Sequence, residues 1–260
     1  MRAKVVILCG GQGTRLREET EYRPKPLVDV GNRPILWHII KQYAHYGFCE
    51  FILCLGYKGE MIKDYFLNYE AMTNDFTICL GCENRIEYHG AHTEQGFSVT
   101  LADTGADSMT GSRVKRIQPY IDDDIFMVTY GDGLSDVNIT ELLKFHQSHG
   151  KIATLTSVRP SSRFGVLTIS KPGKVESFAE KPRLDSWANA GFFVFNRRVF
   201  DYLDIDPSCI LERDPLERLA RDGQLMAYQH EGFFFAMDTY REYLYLNQLW
   251  DNGAAPWKVW

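Results

Sequence analysis

Apolar runs alternate along the first half of the chain with segments in which apolar residues recur at helical spacing. The runs KVVILC (4–9), FILCLG (51–56) and IFMVTYG (125–131) are continuously apolar and rich in β-branched residues, a pattern typical of strands buried on both faces. Between the first two runs, apolar residues share one helical face at Ile35, Leu36, Ile39, Ile40 and Tyr43. Residues 61–69 predict another helix. This alternation predicts an α/β fold with a mixed, mainly parallel sheet flanked by helices.

Residues with known preferences for helix ends mark two helix boundaries. Pro34 near the start and Gly47 past the end bound the first helix. Proline has no amide hydrogen and is tolerated in a first turn because the amides there have no partner within the helix. Glycine readily adopts the backbone conformation that ends a helix. After the third strand, Asn138 and Glu141 predict a capping pair and Gly150 a terminator. Helices that alternate with buried strands in this way are typical of a Rossmann-like sheet, which binds ligands outside the carboxyl ends of its strands.

Short strands dominate the second half of the chain. They read ATLTSV, GVLTIS, KVESFAE and AGFFVF, and we expect them to form a small extra β region. Asp214 as N-cap, Pro215 in the first turn and Gly223 past the end predict one more helix, and YREYLYLNQLWDNG predicts a final one. Because no repeat, low-complexity segment or long linker interrupts the chain, residues 1–260 are expected to form a single domain.

Composition and charge narrow the class of ligand. The chain has 260 residues, of which 45% are hydrophobic, and a net charge of −5, so it lacks the basic character of a nucleic-acid-binding protein. No apolar run approaches the roughly 20 residues that span a bilayer, and the start lacks the cleavage site of a signal peptide. We therefore expect a cytoplasmic protein with a small anionic ligand and with no nucleic-acid or membrane partner.

Four potential zinc ligands lie close together in the first half of the chain. They are Cys79, Cys82, His89 and His92. The loop between the two pairs is shorter than in the usual zinc fingers, so a strand end followed by a hairpin is the favoured interpretation. Most of the six cysteines lie in apolar runs, and reduced thiols are expected.

Glycines follow the first predicted strand directly. Gly10, Gly11 and Gly13 let the backbone approach a ligand and direct its amides at phosphate oxygens. A P-loop would require Gly-Lys-Ser/Thr at its end, which is missing. A dinucleotide-binding loop would require a third glycine where Leu16 stands and a helix at once afterwards, whereas REETEYRPKP is expected to be a loop. A tight turn with solvated charges is a third interpretation of this segment alone.

A carboxylate follows the third predicted strand. Asp132 stands between Gly131 and Gly133, which places it at a strand's carboxyl end, where close backbone approach suits a metal ligand. Asp238, far away in the sequence, is the second carboxylate that we assign to the same ion, because Mg²⁺ sites use one or two carboxylates with phosphates and water. The alternative for Asp238 is a capping role before the last helix.

Two separated motifs give the chain a family resemblance. Gly-Gly-x-Gly-Thr-Arg-Leu at 10–16, followed by Pro24-Lys25-Pro26, resembles the signature of the sugar-phosphate nucleotidyltransferases, and Glu180-Lys181-Pro182 resembles their sugar-phosphate signature. Further runs, spread over nearly the whole chain, resemble the cytidylyltransferase branch of that family: MTGSRVKRI (109–117), TYGDG (129–133), NAGFFVFN (189–196), MDT (237–239) and APWKVW (255–260). Three residues depart from the family pattern without removing a charged group: Cys9, Gln12 and Ala190.

The resemblance implies a reaction and its partners. In that branch, CTP and glucose 1-phosphate give CDP-glucose and pyrophosphate with Mg²⁺ as cofactor. The half at about 1–150 would bind the nucleotide, and the half at about 151–260, with the extra β region, would form the sugar side of the site. A homo-oligomer is implied by analogy, as is a role for the product in dideoxyhexose synthesis for bacterial surface polysaccharide.

The resemblance also implies roles for individual residues. The nucleotide-binding candidates are Leu8, Cys9, Gly10, Gly11, Gln12, Gly13, Thr14, Arg15, Lys25, Asp107, Thr110, Ser112 and Gly131. Catalysis would depend on Arg15, Lys25 and Asp132. The planar fork of Arg15 would stabilise the leaving β- and γ-phosphates, and Lys25 would act as a point charge toward the α-phosphate.

On the sugar side, Lys181 would bind the phosphate of the substrate, and Glu180 and Asn189 would bind glucose hydroxyls. A surface Glu-Lys pair beside a proline is the ordinary alternative for the first two. Three other functions share parts of the pattern. The same reaction with dTTP or UTP stays open, because bases are read largely by backbone groups. A nucleotide-sugar glycosyltransferase usually has an Asp-x-Asp motif, and a non-catalytic nucleotide sensor would lose the charged groups that are present here.

Overall fold

The computed structural model of the chain describes residues 3–81, 85–162 and 164–260. Its strands are β1 (Val5–Leu8), β2 (Asp29–Val30), β3 (Arg33–Pro34), β4 (Glu50–Leu55), β5 (Asp75–Ile78), β6 (Ile86–His89), β7 (Ser98–Asp103), β8 (Ile125–Tyr130), β9 (Gly133–Ser135), β10 (Ala153–Val158), β11 (Val166–Ser170), β12 (Lys174–Ala179), β13 (Ala188–Asn189), β14 (Phe193–Asn196), β15 (Leu225–Gln229) and β16 (Phe234–Ala236). Its α-helices are α1 (Arg17–Thr20), α2 (Ile35–His45), α3 (Gly59–Leu67), α4 (Tyr69–Thr73), α5 (Thr110–Arg116), α6 (Ile139–His149), α7 (Asp214–Arg221) and α8 (Tyr240–Asp251). Short 3-10 helices span Lys25–Leu27, Gln118–Tyr120 and Arg197–Tyr202.

The central sheet mixes parallel and antiparallel strands. Its order is β13-β10-β14-β8-β1-β4-β7, and β15 also pairs with β10. β1 is parallel to both neighbours, β4 and β8, and β7 is parallel to β4. β14 is antiparallel to both β8 and β10. The prediction of a mixed, mainly parallel sheet flanked by helices is confirmed.

The strand β1 is buried on both faces, as its continuous apolar run predicts. Val5 and Ile7 belong to one core cluster, together with residues of α2, α6 and α8. Val6 and Leu8 belong to a second cluster, together with residues of α5 and α7. Successive side chains of a strand point to opposite faces, so this division shows that helices cover the sheet on both sides.

Local end signals locate two helices correctly. α2 begins directly after Pro34, and Gly47, two residues past its end, has a φ of 86°. The side chain of Asn138 accepts a hydrogen bond from the amide of Glu141 at 3.1 Å, and Gly150 ends α6 with a φ of 64°. These signals act within a few residues, so tertiary packing does not override them.

Two local predictions need correction. Asp214 is not the N-cap of α7 but its first residue, and Arg213 precedes the helix. The carboxylate of Asp214 accepts a bond from Arg218 one turn on, at 3.4 Å, rather than from the first backbone amides.

The segment REETEYRPKP is also not all loop, since α1 forms one turn there. Thr20 holds that turn by donating its hydroxyl hydrogen to the carbonyl of Leu16 at 2.8 Å.

The short strands of the second half do not lie apart from the main sheet. β10, β13, β14 and β15 extend it, because β14 pairs along its whole length with β8. β11 and β12 form a separate two-stranded sheet. No helix in the described parts of the chain is both long and apolar enough to cross a membrane.

The hairpin formed by β5 and β6 occupies the region of the potential zinc ligands. Cys79 is disulfide-bonded, so the expectation of reduced thiols is wrong at this position, whereas the cysteines at 9, 49, 54 and 209 are free. His89 hydrogen-bonds to Thr77 at 2.7 Å, and His92 lies 2.7 Å from a carboxylate oxygen of Glu70. Cys82 lies outside the described residues.

Candidate active site

A cavity of about 290 Å³ opens at the carboxyl ends of β1 and β8. These strands are parallel neighbours in the middle of the sheet, so their ends meet at one edge, where α/β sheets bind ligands. The cavity is lined by Leu8, Cys9, Gly10, Gly11, Gly13, Thr14, Arg15, Lys25, Pro26, Ser108, Met109, Thr110, Arg113, Tyr130, Gly131 and Asp132. The glycine-rich segment and Asp132 are therefore brought to the same place.

The glycine-rich segment turns back on itself after β1. Gly13 has a φ of 63°, in the left-handed region that glycine adopts without strain. A Cβ at this position would also lie 2.7 Å from the methyl group of Thr20. The amide of Leu16 donates a hydrogen bond to the Gly13 carbonyl at 2.9 Å. The Thr20 hydroxyl, which lies 3.0 Å from the same carbonyl, shares its one hydrogen between it and the Leu16 carbonyl. The turn is therefore held by hydrogen bonds within its own segment, and residues of that segment line the cavity.

Lys25 lies between two carboxylates. Its Nζ is 2.6 Å from Oδ2 of Asp132 and 2.8 Å from Oδ1 of Asp238. Arg15 contacts the same oxygen of Asp238 at 3.0 Å, although 69% of the Arg15 side chain is exposed. Burial by itself lowers the pKa of Lys25, but the charges and hydrogen bonds of the two aspartates outweigh it and raise the pKa above the ordinary value. Lys25 therefore stays charged at neutral pH.

A short strand pair brings the two aspartates together. Gly133 in β9 is paired with Ala236 in β16, and the amide of Met237 donates a hydrogen bond to the carbonyl of Asp132 at 2.9 Å. Asp132 precedes β9 and Asp238 follows β16, so the antiparallel register places both side chains at the same end of the pair. This explains how residues more than one hundred positions apart in the sequence meet.

The capping alternative for Asp238 is not what the structure shows. Thr239 is the N-cap of α8, and Glu242 completes a capping box with it. The Glu242 carboxylate accepts hydrogen bonds from the amides of Asp238 and Thr239, at 2.7 and 2.8 Å. The side chain of Asp238 is left to contact Lys25 and Arg15, and only 17% of it is exposed.

The carboxylates suit a hard divalent cation. Two anionic side chains converge on one nitrogen, and one or two carboxylates with phosphate oxygens and water form the usual protein share of a Mg²⁺ site. Asp132 and Asp238 are the residues that would hold such an ion. Among the described residues, no group of three or more His, Cys, Asp or Glu side chains is arranged to hold a metal ion.

Arg113 lines the cavity and was not singled out by the sequence as a site residue. Its guanidinium donates hydrogen bonds to the carbonyls of Leu55 and Gly10, at 2.9 and 3.0 Å, and to the hydroxyl of Thr104 at 2.8 Å. It is 4% exposed, and burial lowers its pKa. Arg113 thus joins the loops after β1, β4 and β7. Its partners are mostly backbone carbonyls, which leave no signature in a sequence.

Three nucleotide-binding candidates do not line the cavity. Gln12 and Asp107 are exposed residues outside the lining. Ser112 is buried, and its hydroxyl donates to the carbonyl of Ile205 at 2.9 Å. The neighbouring Ser108, Met109 and Arg113 line the cavity instead. Of the three candidates in this segment, Thr110 lines the cavity, whereas Asp107 and Ser112 do not.

The sugar-side candidates are not among the residues that line the cavity. Glu180 and Lys181 follow β12, with 62% and 46% of their side chains exposed and 3.6 Å between the charged atoms. Lys181 has a φ of 48°, which is uncommon for a residue other than glycine. Asn189 donates a hydrogen bond to the hydroxyl of Tyr130 at 3.3 Å. Because Tyr130 lines the cavity, Asn189 is connected to the cavity through Tyr130.

Comparison with known proteins defines the class. A model of the nucleotidyl transferase family matches residues 4–233, and the chain belongs to that family. Relatives of the same length are glucose-1-phosphate cytidylyltransferases. The one from Salmonella typhimurium is 51% identical over 99% of both chains. A probable one from Bacillus subtilis is 45% identical over 99% of this chain and 100% of its own.

Solved structures agree with the fold. The apo form of a UDP-glucose pyrophosphorylase superposes with a TM-score of 0.70, covering 97% of this chain and 99% of its own, at 15% identity. A structure named HddC from Yersinia pseudotuberculosis gives a TM-score of 0.67 at 22% identity, covering 95% of this chain and 99% of its own. At such identities, these likenesses show a shared architecture.

Proposed function

We propose that the chain is a glucose-1-phosphate cytidylyltransferase, which transfers the cytidylyl group of CTP to glucose 1-phosphate and releases pyrophosphate. The observation that carries this proposal is the 51% identity to the Salmonella typhimurium enzyme over 99% of both chains. The cavity supports it, because cations and carboxylates gather at the edge of the sheet where nucleotides bind in α/β folds.

The reaction needs positioning and charge neutralisation more than covalent chemistry. A phosphate oxygen of glucose 1-phosphate attacks the α-phosphorus of CTP in line, the bond from that phosphorus to the β-phosphate bridging oxygen breaks, and pyrophosphate leaves. We assign Arg15 to the departing β- and γ-phosphates and Lys25 to the α-phosphate. The exposure of Arg15 leaves its fork accessible to phosphate, and the raised pKa of Lys25 keeps that group cationic.

We assign Asp132 and Asp238 to the binding of Mg²⁺. When bound, the ion would neutralise phosphate charge as CTP reacts. Lys25 already contacts both carboxylates, at 2.6 and 2.8 Å, and so holds them in position before a ligand enters. The partial burial of both aspartates, with 28% and 17% of their side chains exposed, strengthens their electrostatic effect relative to that of fully solvated groups.

The sugar phosphate is assigned to the second half of the chain. Lys181 would contact its phosphate, and Glu180 and Asn189 would contact glucose hydroxyls. Support comes from Asn189, whose partner Tyr130 lines the cavity. In this proposal, residues of about 1–150 bind the nucleotide and residues of about 151–260 bind the sugar phosphate within one domain.

We further propose that the enzyme is a cytoplasmic homo-oligomer whose product supplies deoxysugar synthesis for surface polysaccharide. The hairpin of β5 and β6 supports oligomerisation. Its apolar side chains are 40–43% exposed at Phe76, Ile78, Ile86 and Tyr88. A separate two-stranded hairpin is marginally stable in water, and clustered exposed apolar groups mark contact surfaces, so a second copy of the chain is the proposed cover.

Product analysis tests the proposed reaction. Purified protein with Mg²⁺, CTP and glucose 1-phosphate should give CDP-glucose and pyrophosphate in equal amounts, separable by anion-exchange chromatography. Omission of glucose 1-phosphate should stop the formation of both. Hydrolysis of CTP without CDP-glucose would contradict the proposal, as would a reaction in which the protein only transfers glucose from added CDP-glucose to an acceptor.

A further inference from the structure

Glu212 is a carboxylate beside the cavity that neither the sequence motifs nor the proposed mechanism employs. It lies two residues before α7 and is partly buried. Its Oε1 accepts a hydrogen bond from the hydroxyl of Tyr130 at 2.5 Å, and its Oε2 accepts one from the hydroxyl of Thr110 at 2.6 Å. Tyr130 and Thr110 both line the cavity. One side chain thus holds two parts of the wall, the end of β8 and the start of α5.

The hydrogen bonds through Tyr130 have a fixed direction. An ionised carboxylate only accepts hydrogen bonds, so the Tyr130 hydroxyl must donate to Glu212. Its oxygen is then an acceptor, and it receives the Nδ2 hydrogen of Asn189 at 3.3 Å. The Oδ1 of Asn189 accepts from the amide of Gly191 at 2.9 Å. Glu212, acting through Tyr130, and the Gly191 amide therefore favour the same orientation of the Asn189 amide.

The hydrogen bond to the other carboxylate oxygen of Glu212 also has a fixed direction. Because the Thr110 hydroxyl donates to Glu212, its oxygen is left as an acceptor, and the amide of Leu211 donates to it at 3.0 Å. Both hydroxyl hydrogens are therefore directed at Glu212, and each hydroxyl oxygen, which accepts one hydrogen bond, keeps a second lone pair and can present only an acceptor to a ligand. Burial, together with the charge of Glu212, raises the pKa of Tyr130, which keeps this phenol protonated and able to donate.

We propose that Glu212 is a positioning residue, which fixes the hydrogen-bonding groups that Tyr130, Thr110 and Asn189 present to the two substrates. The inference rests on the proposed function for the identity of those substrates. The Asn189 amide keeps one Nδ2 hydrogen for a ligand, and this hydrogen suits an acceptor such as a glucose hydroxyl oxygen. Glu212 itself touches neither substrate, so its effect reaches them through the side chains that it orients.

The variant Glu212→Gln keeps the shape of the side chain and changes the direction of its bonds. A glutamine presents one acceptor and one donor group, so one of the two hydroxyls must turn its hydrogen elsewhere. If Tyr130 turns, its hydrogen meets the Nδ2 donor of Asn189, and the amide must flip and lose the bond from Gly191. If Thr110 turns, its hydrogen points toward the nucleotide side of the cavity. Either change misaligns a group beside a substrate.

Steady-state kinetics with both substrates varied tests the proposal. In Glu212→Gln, the KM for glucose 1-phosphate or for CTP should rise about tenfold, the effect of one misaligned hydrogen bond, with unchanged thermal unfolding. In the Tyr130→Phe background, the same substitution should raise the KM for glucose 1-phosphate far less, since the link to Asn189 is already absent. Glu217→Gln, an exposed site on α7, is the matched control and should behave as the wild type.

Three outcomes would overturn the assignment. Wild-type KM values in a folded Glu212→Gln variant would show that the bond directions are irrelevant. Independent effects of Glu212→Gln and Tyr130→Phe on both KM values would show that Glu212 does not act through Tyr130. A loss of thermal stability with unchanged KM values would show a structural role only. Absence of turnover in the wild type would instead contradict the proposed function, so the two failures are distinguishable.

Discussion

The charges of the cavity are arranged around Lys25, which contacts Asp132 at 2.6 Å and Asp238 at 2.8 Å. Changing either aspartate to asparagine keeps the shape but removes an anionic oxygen. We expect kcat to fall by about two decades in each single variant, through lost electrostatic stabilisation. The double variant should be scarcely slower than the poorer single one, because residues that serve one ion act as a unit. A double-mutant cycle in kcat at saturating Mg²⁺ measures this.

The control for that cycle is Asp251→Asn, at an exposed position at the end of α8, which should leave kcat unchanged. Thermal unfolding of each variant tests for misfolding. We expect the single variants to fold, because Lys25 keeps one carboxylate partner in each of them. Additive losses in kcat would show that the two aspartates act separately. Near-normal turnover of Asp238→Asn would show that Asp238 only pairs with Lys25 and Arg15.

Lys181 is the residue assigned to the phosphate of the sugar substrate. Removing its ammonium in Lys181→Ala should raise the KM for glucose 1-phosphate by about one to two decades, the cost of a charge-assisted contact. The KM for CTP should change much less. Lys174→Ala, at an exposed position on the same hairpin, serves as the control for a general loss of positive charge. A selective rise in the KM for CTP would mean that Lys181 serves the nucleotide.

His38 makes the stability of the fold depend on pH. It is fully buried in α2, where its Nδ1 accepts a hydrogen bond from the indole of Trp257 at 3.3 Å and its Nε2 lies 2.7 Å from the Val30 carbonyl. Burial lowers the pKa of His38 to about 4. The unfolded chain, with an ordinary pKa of about 6.5, therefore binds more protons between these values. The contribution of His38 to the free energy of unfolding should fall by about 3 kcal/mol as pH drops through this window.

Urea unfolding at several pH values between about 4 and 7 measures this dependence. His38→Gln should have a lower free energy of unfolding at neutral pH and a flatter slope below it. His45→Gln, at an exposed position at the end of the same helix, should retain the wild-type slope. An unchanged slope in His38→Gln would show that other groups set the pH dependence.

The start of α5 packs tightly against the segment that precedes α7. A Cβ on Gly111 would lie 2.6 Å from the sulfur and 3.0 Å from the carbonyl oxygen of Cys209, so Gly111→Ala must push the two segments apart. We expect a loss of about 1–3 kcal/mol in the free energy of unfolding and a higher KM for CTP, because Thr110 and Arg113 on the same helix line the cavity.

Cys209→Ala separates the two contacts in that experiment. It removes the nearest atom to the new methyl group, so the double variant Gly111→Ala with Cys209→Ala should regain part of the lost stability. The backbone carbonyl at 3.0 Å remains, so recovery should be incomplete. Unchanged stability and KM in Gly111→Ala would show that the two segments separate freely and that the position of α5 does not control nucleotide binding.

Elements with signals inside their own segment could be predicted from the sequence. The apolar run of β1 and the caps of α6 are of this kind, and both lie where expected. The approach of Asp132 to Asp238 is different, since it depends on the pairing of two three-residue strands, β9 and β16. Strands of that length carry no periodic pattern, so the residues could be nominated but their contact with Lys25 could not be foreseen.

Side chains that bind backbone groups also could not be predicted, because backbone groups leave no signature in a sequence. Arg113 donates to carbonyls at the ends of three strands, and any residue type supplies a carbonyl. Ser112 was nominated in its place, although its hydroxyl faces Ile205. The family resemblance identified the segment, but which side of α5 faces the cavity is fixed by packing against the sheet.

In the whole molecule, the sheet edge gathers segments from every part of the chain. The glycine-rich segment follows β1, Asp132 follows β8, Asn189 ends β13, and Asp238 precedes α8. The cations and carboxylates of this edge fit a reaction between two polyanions. They do not distinguish one nucleoside triphosphate from another, so the choice of CTP rests on the full-length relatives.

Initial rates with different nucleoside triphosphates therefore test the choice of CTP most directly. Glucose 1-phosphate and Mg²⁺ are held fixed, and pyrophosphate release is followed with CTP, UTP, dTTP, ATP and GTP in turn. CTP should give the highest kcat/KM, by about tenfold or more, which is the discrimination available from one hydrogen-bonded difference between bases. Equal or faster turnover with UTP or dTTP would contradict the cytidylyltransferase assignment.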